Sequence, residues 1–216
     1  MKHSTSDSPS DSSAVRSLHK KALYLSIFTV AYNFLEGIVS IAAGAAAGSI
    51  ALIGFGLDSF VESLSGGIMI WRFGGRGELS KEEEERRVSR ALMLVGYTFF
   101  VLGWYVAYEC LKKLISREPS EPSLIGIIIA VVSLIVMPVV FYMKYKLGKS
   151  VGSRGLVADS KQTLACSYLS LSLLVGLGLN YLYGIWWADP AAGLVIVAFL
   201  FKEGLEAVRG EHDGCC

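Results

Sequence analysis

Apolar residues fall into six long runs separated by short polar stretches, near 22–44, 49–72, 89–112, 123–145, 158–182 and 187–208. Crossing about 30 Å of hydrocarbon as a helix takes about 20 residues. Each run is that long, so the pattern predicts an all-α integral membrane protein with six transmembrane helices. The small-residue run from Ala42 to Ser49 and the stretch from Tyr183 to Trp187 make tight connections within the first and last pairs. Neither leaves room for a soluble domain. Residues 1–21 are polar and lack the apolar core of a signal peptide, and they are expected to form a disordered cytoplasmic tail. Residues 22–209 form the membrane domain, and 210–216 a short cytoplasmic tail.

Within the runs, a few polar positions recur at helical spacing. Asp58 and Glu62 are four apart on the second span, which places both carboxylates on one face about 6 Å apart along the axis. A lone Asp at the centre of a span costs about 2.5–3.5 kcal/mol even on the mildest scales. The pair therefore calls for a cation, a proton or a partner. Asp159, Gln162 and Cys166 form a matching face on the fifth span, where Cys is also ordinary packing and Gln is also interhelical glue. Two such faces could close a four-ligand site, in which a thiolate favours zinc-like or softer metals over magnesium. Thr29, Asn33, Glu36 and Ser40 make a stripe on the first span that must face inward. Asn33 and Glu36 are candidates for the ion path or for supporting the ligands from behind, and equally for plain hydrogen bonds between helices. Glu109 is expected to pair with Lys112 or Lys113, and Asp189 before Pro190 to start its own helix as an acidic cap.

Charge adds an orientation. Of the 20 Lys and Arg, only Lys112, Lys113 and Arg117 fall on the side opposite the termini. That asymmetry places both termini in the cytoplasm. The run Glu82–Glu85 reads as a solvated helix start, with an acidic metal-attracting patch as the sharper alternative. Composition agrees with a lipid-solvated chain: 53% hydrophobic, 18% charged and a mean hydropathy of +0.50 over 216 residues. A net charge of +1 argues against a nucleic-acid partner. The four cysteines, Cys110, Cys166, Cys215 and Cys216, make no disulfide framework. His212, Cys215 and Cys216 near the end could collect a metal or carry lipid, although an exposed tail is the plainer reading.

The segment GSIALIGFGLDSFVESLSGG resembles the second span of cation diffusion facilitators, in which Gly-Ser precedes a carboxylate-bearing helix. The stretch from EPSLIG to LACSYLS is similar to that family's fourth span, basic inner loop and fifth span, and WADPAAGLVIVAFLFKEGLEAVR to its sixth. The likeness covers nearly all of residues 22–209. It implies exchange of a divalent cation, most of all zinc, against protons, with no permanently bound cofactor. It also implies a tetrahedral site at Asp58, Glu62, Gln162 and Cys166. Gln162 and Cys166 depart from the family's His and Asp, and a metal-free site could instead hold a proton on a paired carboxylate or on Cys166. A homodimer held through the transmembrane helices is expected, since the family's cytoplasmic metal-binding domain does not follow the sixth span, and a bacterial cytoplasmic membrane is the expected location. A membrane metal-binding or regulatory subunit that does not pump is the alternative. An intramembrane enzyme fares worst, because no GxSxG or HExxH occurs.

Overall fold

The computed structural model of the protein describes residues 9–74, 81–121 and 123–209. They form six α-helices: α1 (Pro9–Ala47), α2 (Ile50–Gly74), α3 (Lys81–Ser116), α4 (Leu124–Val151), α5 (Arg154–Tyr183) and α6 (Ala188–Arg209). Each expected span lies within one helix, give or take a residue or two. Five of the helices are long and apolar enough to cross a membrane by length and composition. The exception, α6, carries Asp189, Lys202, Glu203, Glu206 and Arg209 on its 22 residues. It packs between α3 and α5 as part of the same bundle.

The expected tail 1–21 is corrected in part, because Pro9 to Lys21 belongs to α1. Proline suits the first turn of a helix, where its missing N–H has no partner in any case. Hydropathy marks only the stretch of a helix that meets lipid, so an extension into water is invisible to it. The same holds for α3, which starts at Lys81, just before the acidic run. The tails at 1–8 and 210–216, including His212, Cys215 and Cys216, lie outside the described residues.

The helices pair as α1 with α2, α4 with α5 and α3 with α6, while α2 and α5 also touch most of the others. The most apolar 18-residue stretch of α2 is 61% buried and that of α5 50%, against 28% for α4 and 33% for α1 and α3. So α2 and α5 make the centre, and Val101, Trp104, Ile135 and Val139 on α3 and α4 face outward to lipid. An apolar core of Leu52, Phe55, Phe99, Val106, Leu169, Leu173, Ile196 and Leu200 fills the spaces between α2, α3, α5 and α6.

Close approach in the α1–α2 pair depends on glycines, Gly37 and Gly56 among them. A Cβ on Gly37 would sit 2.9 Å from the Gly56 carbonyl, and one on Gly56 would sit 2.9 Å from the Gly37 carbonyl and 2.8 Å from Ile41 Cγ1. The clash is with backbone, which cannot swing aside. Lipid offers no hydrophobic drive for helix association, so such contacts supply much of the cohesion. Gly56→Val is expected to cost about 1–3 kcal/mol. The check is a lowered thermal midpoint in detergent; an unchanged midpoint would mean that α1 is free to shift.

Candidate functional site: a buried polar chain between α2, α4 and α5

The polar stripe of α1 faces inward as its spacing requires: Thr29, Asn33, Glu36 and Ser40 are all buried. Thr29 donates to the Leu25 carbonyl at 2.8 Å. Glu36 accepts from Tyr32 at 3.1 Å with one oxygen and from Ser59 of α2 at 2.9 Å with the other. Glu36 thus fastens α1 to α2. Asn33 is different, since neither its amide nitrogen nor its oxygen has a partner. An unpaired buried polar group costs about 1–3 kcal/mol, which marks Asn33 as a place for water or an ion.

On α2, Asp58 and Glu62 are both buried. The Thr163 hydroxyl of α5 donates to Glu62 Oε1 at 2.5 Å, while Oε2 is buried with no partner. One oxygen is anchored and the other is free. The Cys166 thiol, one turn beyond Thr163 and fully buried, lies against Glu62. No hydrogen bond or ion pair holds Asp58 among the described residues, and it is near enough to Glu62, Glu36 and Glu203 to feel their charge.

Asp159 is occupied. Its Oδ1 accepts from Ser65 of α2 at 3.0 Å, and its Oδ2 pairs with Lys144 of α4 at 2.8 Å. Lys144 also donates to Thr163 Oγ1 at 3.0 Å. A continuous chain therefore runs from Ser65 through Asp159, Lys144 and Thr163 to Glu62, tying three helices together. Gln162 faces another way. It lines a cleft between α3, α5 and α6 with Leu92, Phe99, Asp159 and Glu203, and its Nε2 has no partner.

The structure thus brings Glu62 and Cys166 together with Asp58 a turn away, and sets Gln162 in the lining of a neighbouring cleft. Among the described residues, no three His, Cys, Asp or Glu side chains are gathered as a metal ion would require. Two residues escaped the sequence reading. Lys144 was counted with the basic residues of an inner loop, yet it is fully buried. The signal was present: Gly126, Ala130, Ser133, Met137, Val140, Lys144 and Gly148 form one buried stripe at spacings of three and four. Glu203 was read only as part of the sixth span, and it lies in the cleft opposite Gln162 and Asp159.

At the far end of the bundle a second polar cluster has a structural task. Gly48 has φ +61°, the left-handed conformation that ends α1, and Ser49 then caps α2 by accepting from Leu52 N at 3.1 Å. Asp189 is fully buried. It accepts from the Ser49 hydroxyl, from Ile50 N at 3.1 Å and from Ser120 at 2.9 Å. It therefore caps α2 rather than its own helix alone, which corrects the expectation. Lys113 binds the Gly48 carbonyl and Ser120. Glu109 pairs with Lys112 at 3.7 Å, one of the two partners expected.

Three relatives match most of this chain at low identity. Transmembrane protein 163 of Xenopus laevis is 22% identical over 188 residues, 87% of this chain and 66% of that protein. An uncharacterized transporter of Synechocystis is 25% identical over 175 residues, covering 79% and 56% of the two chains. One of Methanocaldococcus jannaschii is 26% identical over 180 residues, covering 82% and 63%. The chain thus spans 56% to 66% of the length of these relatives. Residues 89–210, from the start of the third span through Asp159, Gln162, Cys166 and Glu203, match the cation efflux transmembrane domain. That match takes in more than half of the chain and four of its six helices, and with the six-helix bundle it establishes that the protein belongs to the cation efflux family.

Proposed function

We propose that this chain carries divalent, zinc-like cations across the membrane, holding them between α2 and α5 at Asp58, Glu62 and Cys166, with Gln162 handing the ion in from the cleft beside Glu203. The observation that carries this reading is the free, buried Oε2 of Glu62, facing a thiol and one turn from a second unpaired carboxylate. A buried carboxylate that is only half satisfied beside one with no partner is costly in hydrocarbon, and a cation answers both at once. Because the donors are not yet gathered, loading draws α2 and α5 together around the ion. A bundle that packs differently loaded and empty is what alternating access requires.

Export is the direction we read from the position of the cleft. The cleft lies at the end of the bundle where α3 and α5 begin and α6 ends, the side that the Lys and Arg asymmetry places in the cytoplasm. Ions enter there and leave at the opposite face. When the ion departs, protons neutralise the carboxylates or the thiol, which couples export to the proton gradient.

Uptake of Zn2+, Cd2+ and Mn2+ into proteoliposomes under an imposed pH gradient tests the proposal. Flux that collapses with the gradient supports proton-coupled transport, whereas binding without flux makes the chain a metal-binding subunit. Cys166→Ala is expected to slow Cd2+ and Zn2+ about tenfold and leave Mn2+ within about twofold, since a soft thiolate matters little to a hard ion. Equal losses for all three metals would remove Cys166 from the selectivity argument.

A further inference from the structure

Lys144 is a full positive charge with no solvent exposure, on the helix that otherwise faces lipid most. Burying an ammonium costs several kcal/mol unless it is paired and hydrogen-bonded. Here it is both, through Asp159 at 2.8 Å and Thr163 at 3.0 Å. Simple cohesion between α4 and α5 needs no charge, because Gly148 against Val157 and Leu156 already packs that pair closely. What the ammonium does change is which carboxylates around α2 and α5 are open to a cation. Asp159 has one oxygen on Ser65 and one on Lys144, so it is withheld. Glu62 makes no ion pair with Lys144 among the described residues: it feels the ammonium at longer range, receives the relayed hydroxyl of Thr163, lies beside the Cys166 thiol, and keeps Oε2 without a hydrogen bond.

We infer that Lys144 is a specificity-determining residue, a tethered cation that keeps Asp159 out of the transported ion's coordination and leaves the site to Glu62, Asp58 and the Cys166 thiol. This rests on the transport reading above and deepens it. Its consequence concerns the kind of ion. With Asp159 withheld, the donor set contains a soft thiolate and few hard oxygens, which suits zinc and cadmium. Were Asp159 released, a third carboxylate would favour hard ions such as manganese, which take several oxygen ligands. Thr163 is the relay that holds the two halves in register, since it accepts from Lys144 and donates to Glu62.

The test uses two substitutions whose effects have opposite signs. Lys144→Met keeps the length of the stem and removes the charge, so it frees Asp159. It is expected to tighten Mn2+ binding about tenfold, with Cd2+ changed less than about threefold. Asp159→Asn instead frees the ammonium to turn toward Glu62, and it is expected to weaken Mn2+, Zn2+ and Cd2+ alike by about tenfold. Both are read by calorimetric titration of the full chain in detergent, with thermal unfolding as the control for folding. Shifts of opposite sign support the assignment. Variants that bind as the native protein does, or that weaken together, overturn it and reduce the pair to a packing device. If Lys144→Met does not fold, Asp159→Asn decides alone: uniform weakening supports the tethered cation, while no change, or a loss confined to Mn2+, overturns it. A native protein that binds none of the three ions would bring down the transport reading and this inference together. Native binding with same-signed variants brings down only this inference.

Discussion

Replacing Asp58 and Glu62 together by alanine is expected to abolish divalent-cation binding and flux while leaving the bundle folded. A hydrogen bond or ion contact to a charged group is worth about 1.5–3 kcal/mol, so two carboxylate ligands carry about 3–6 kcal/mol. At about 1.4 kcal/mol per factor of ten, the loss is about 10²- to 10⁴-fold in Kd. The fold tolerates the change for a specific reason. Asp58 has no partner among the described residues, so its removal strands nothing. Glu62 leaves the Cys166 thiol, a weak donor that is common in buried packing, and Thr163, which still accepts from Lys144 and donates to the Asp159 carbonyl at 3.2 Å. The double variant also relieves repulsion between two buried carboxylates one turn apart. Its thermal midpoint in metal-free detergent is therefore expected to equal or exceed that of the native protein. Retained flux would move the site away from α2. A collapsed midpoint would mean that the carboxylates are structural.

The elements were legible in the sequence because the bilayer imposes a length, and each apolar run had to meet it. Helix ends were not, since α1 and α3 continue into water where hydropathy has nothing to report. The inward stripe of Thr29, Asn33, Glu36 and Ser40 was legible because four polar residues at helical spacing cannot all face lipid. Asp58 and Glu62 stood out for the same reason. What the sequence could not give was which partner each buried charge meets. Asp159 sits one turn before Thr163 on α5, yet whether it faces a metal or Lys144 depends on how α4 docks. Lys144 closes an apolar run beside Lys146 and Lys149, and positive residues at that place ordinarily signal a cytoplasmic flank. Gln162 and Cys166, spaced as a pair, were expected in one site. The structure splits them between the cleft and the Glu62 carboxylate, because a stripe at spacing four spirals slowly around the helix and neighbours on both sides claim its ends.

The cluster at the far end of the bundle yields the second large effect. Asp189→Ala is expected to destabilise the protein by about 3 kcal/mol, because it leaves Ile50 N–H and two buried hydroxyls without their acceptor at about 1–3 kcal/mol each, partly re-paired. The carboxylate joins the start of α2, the start of α6 and the loop before α4. Asn180 of α5 adds a bond to the Ser120 carbonyl at 2.9 Å, so α2, α5, α6 and the loop before α4 converge there. Asp189→Asn keeps one acceptor oxygen and is expected to recover about half of the loss. Transport should respond differently from stability. This cluster lies at the start of α2 and Glu62 at its middle, about 18 Å along the helix, so cation affinity measured below the melting transition should stay within about threefold of native, a shift of less than about 0.7 kcal/mol. Under the export proposed above, turnover should change, since the ends of α1–α2 and α5–α6 that this cluster closes would have to part to release the ion. Affinity and turnover falling in proportion would show that Asp189 acts only by holding the fold. Lower stability with unchanged affinity and faster ion release would identify the cluster as a latch at this end of the bundle.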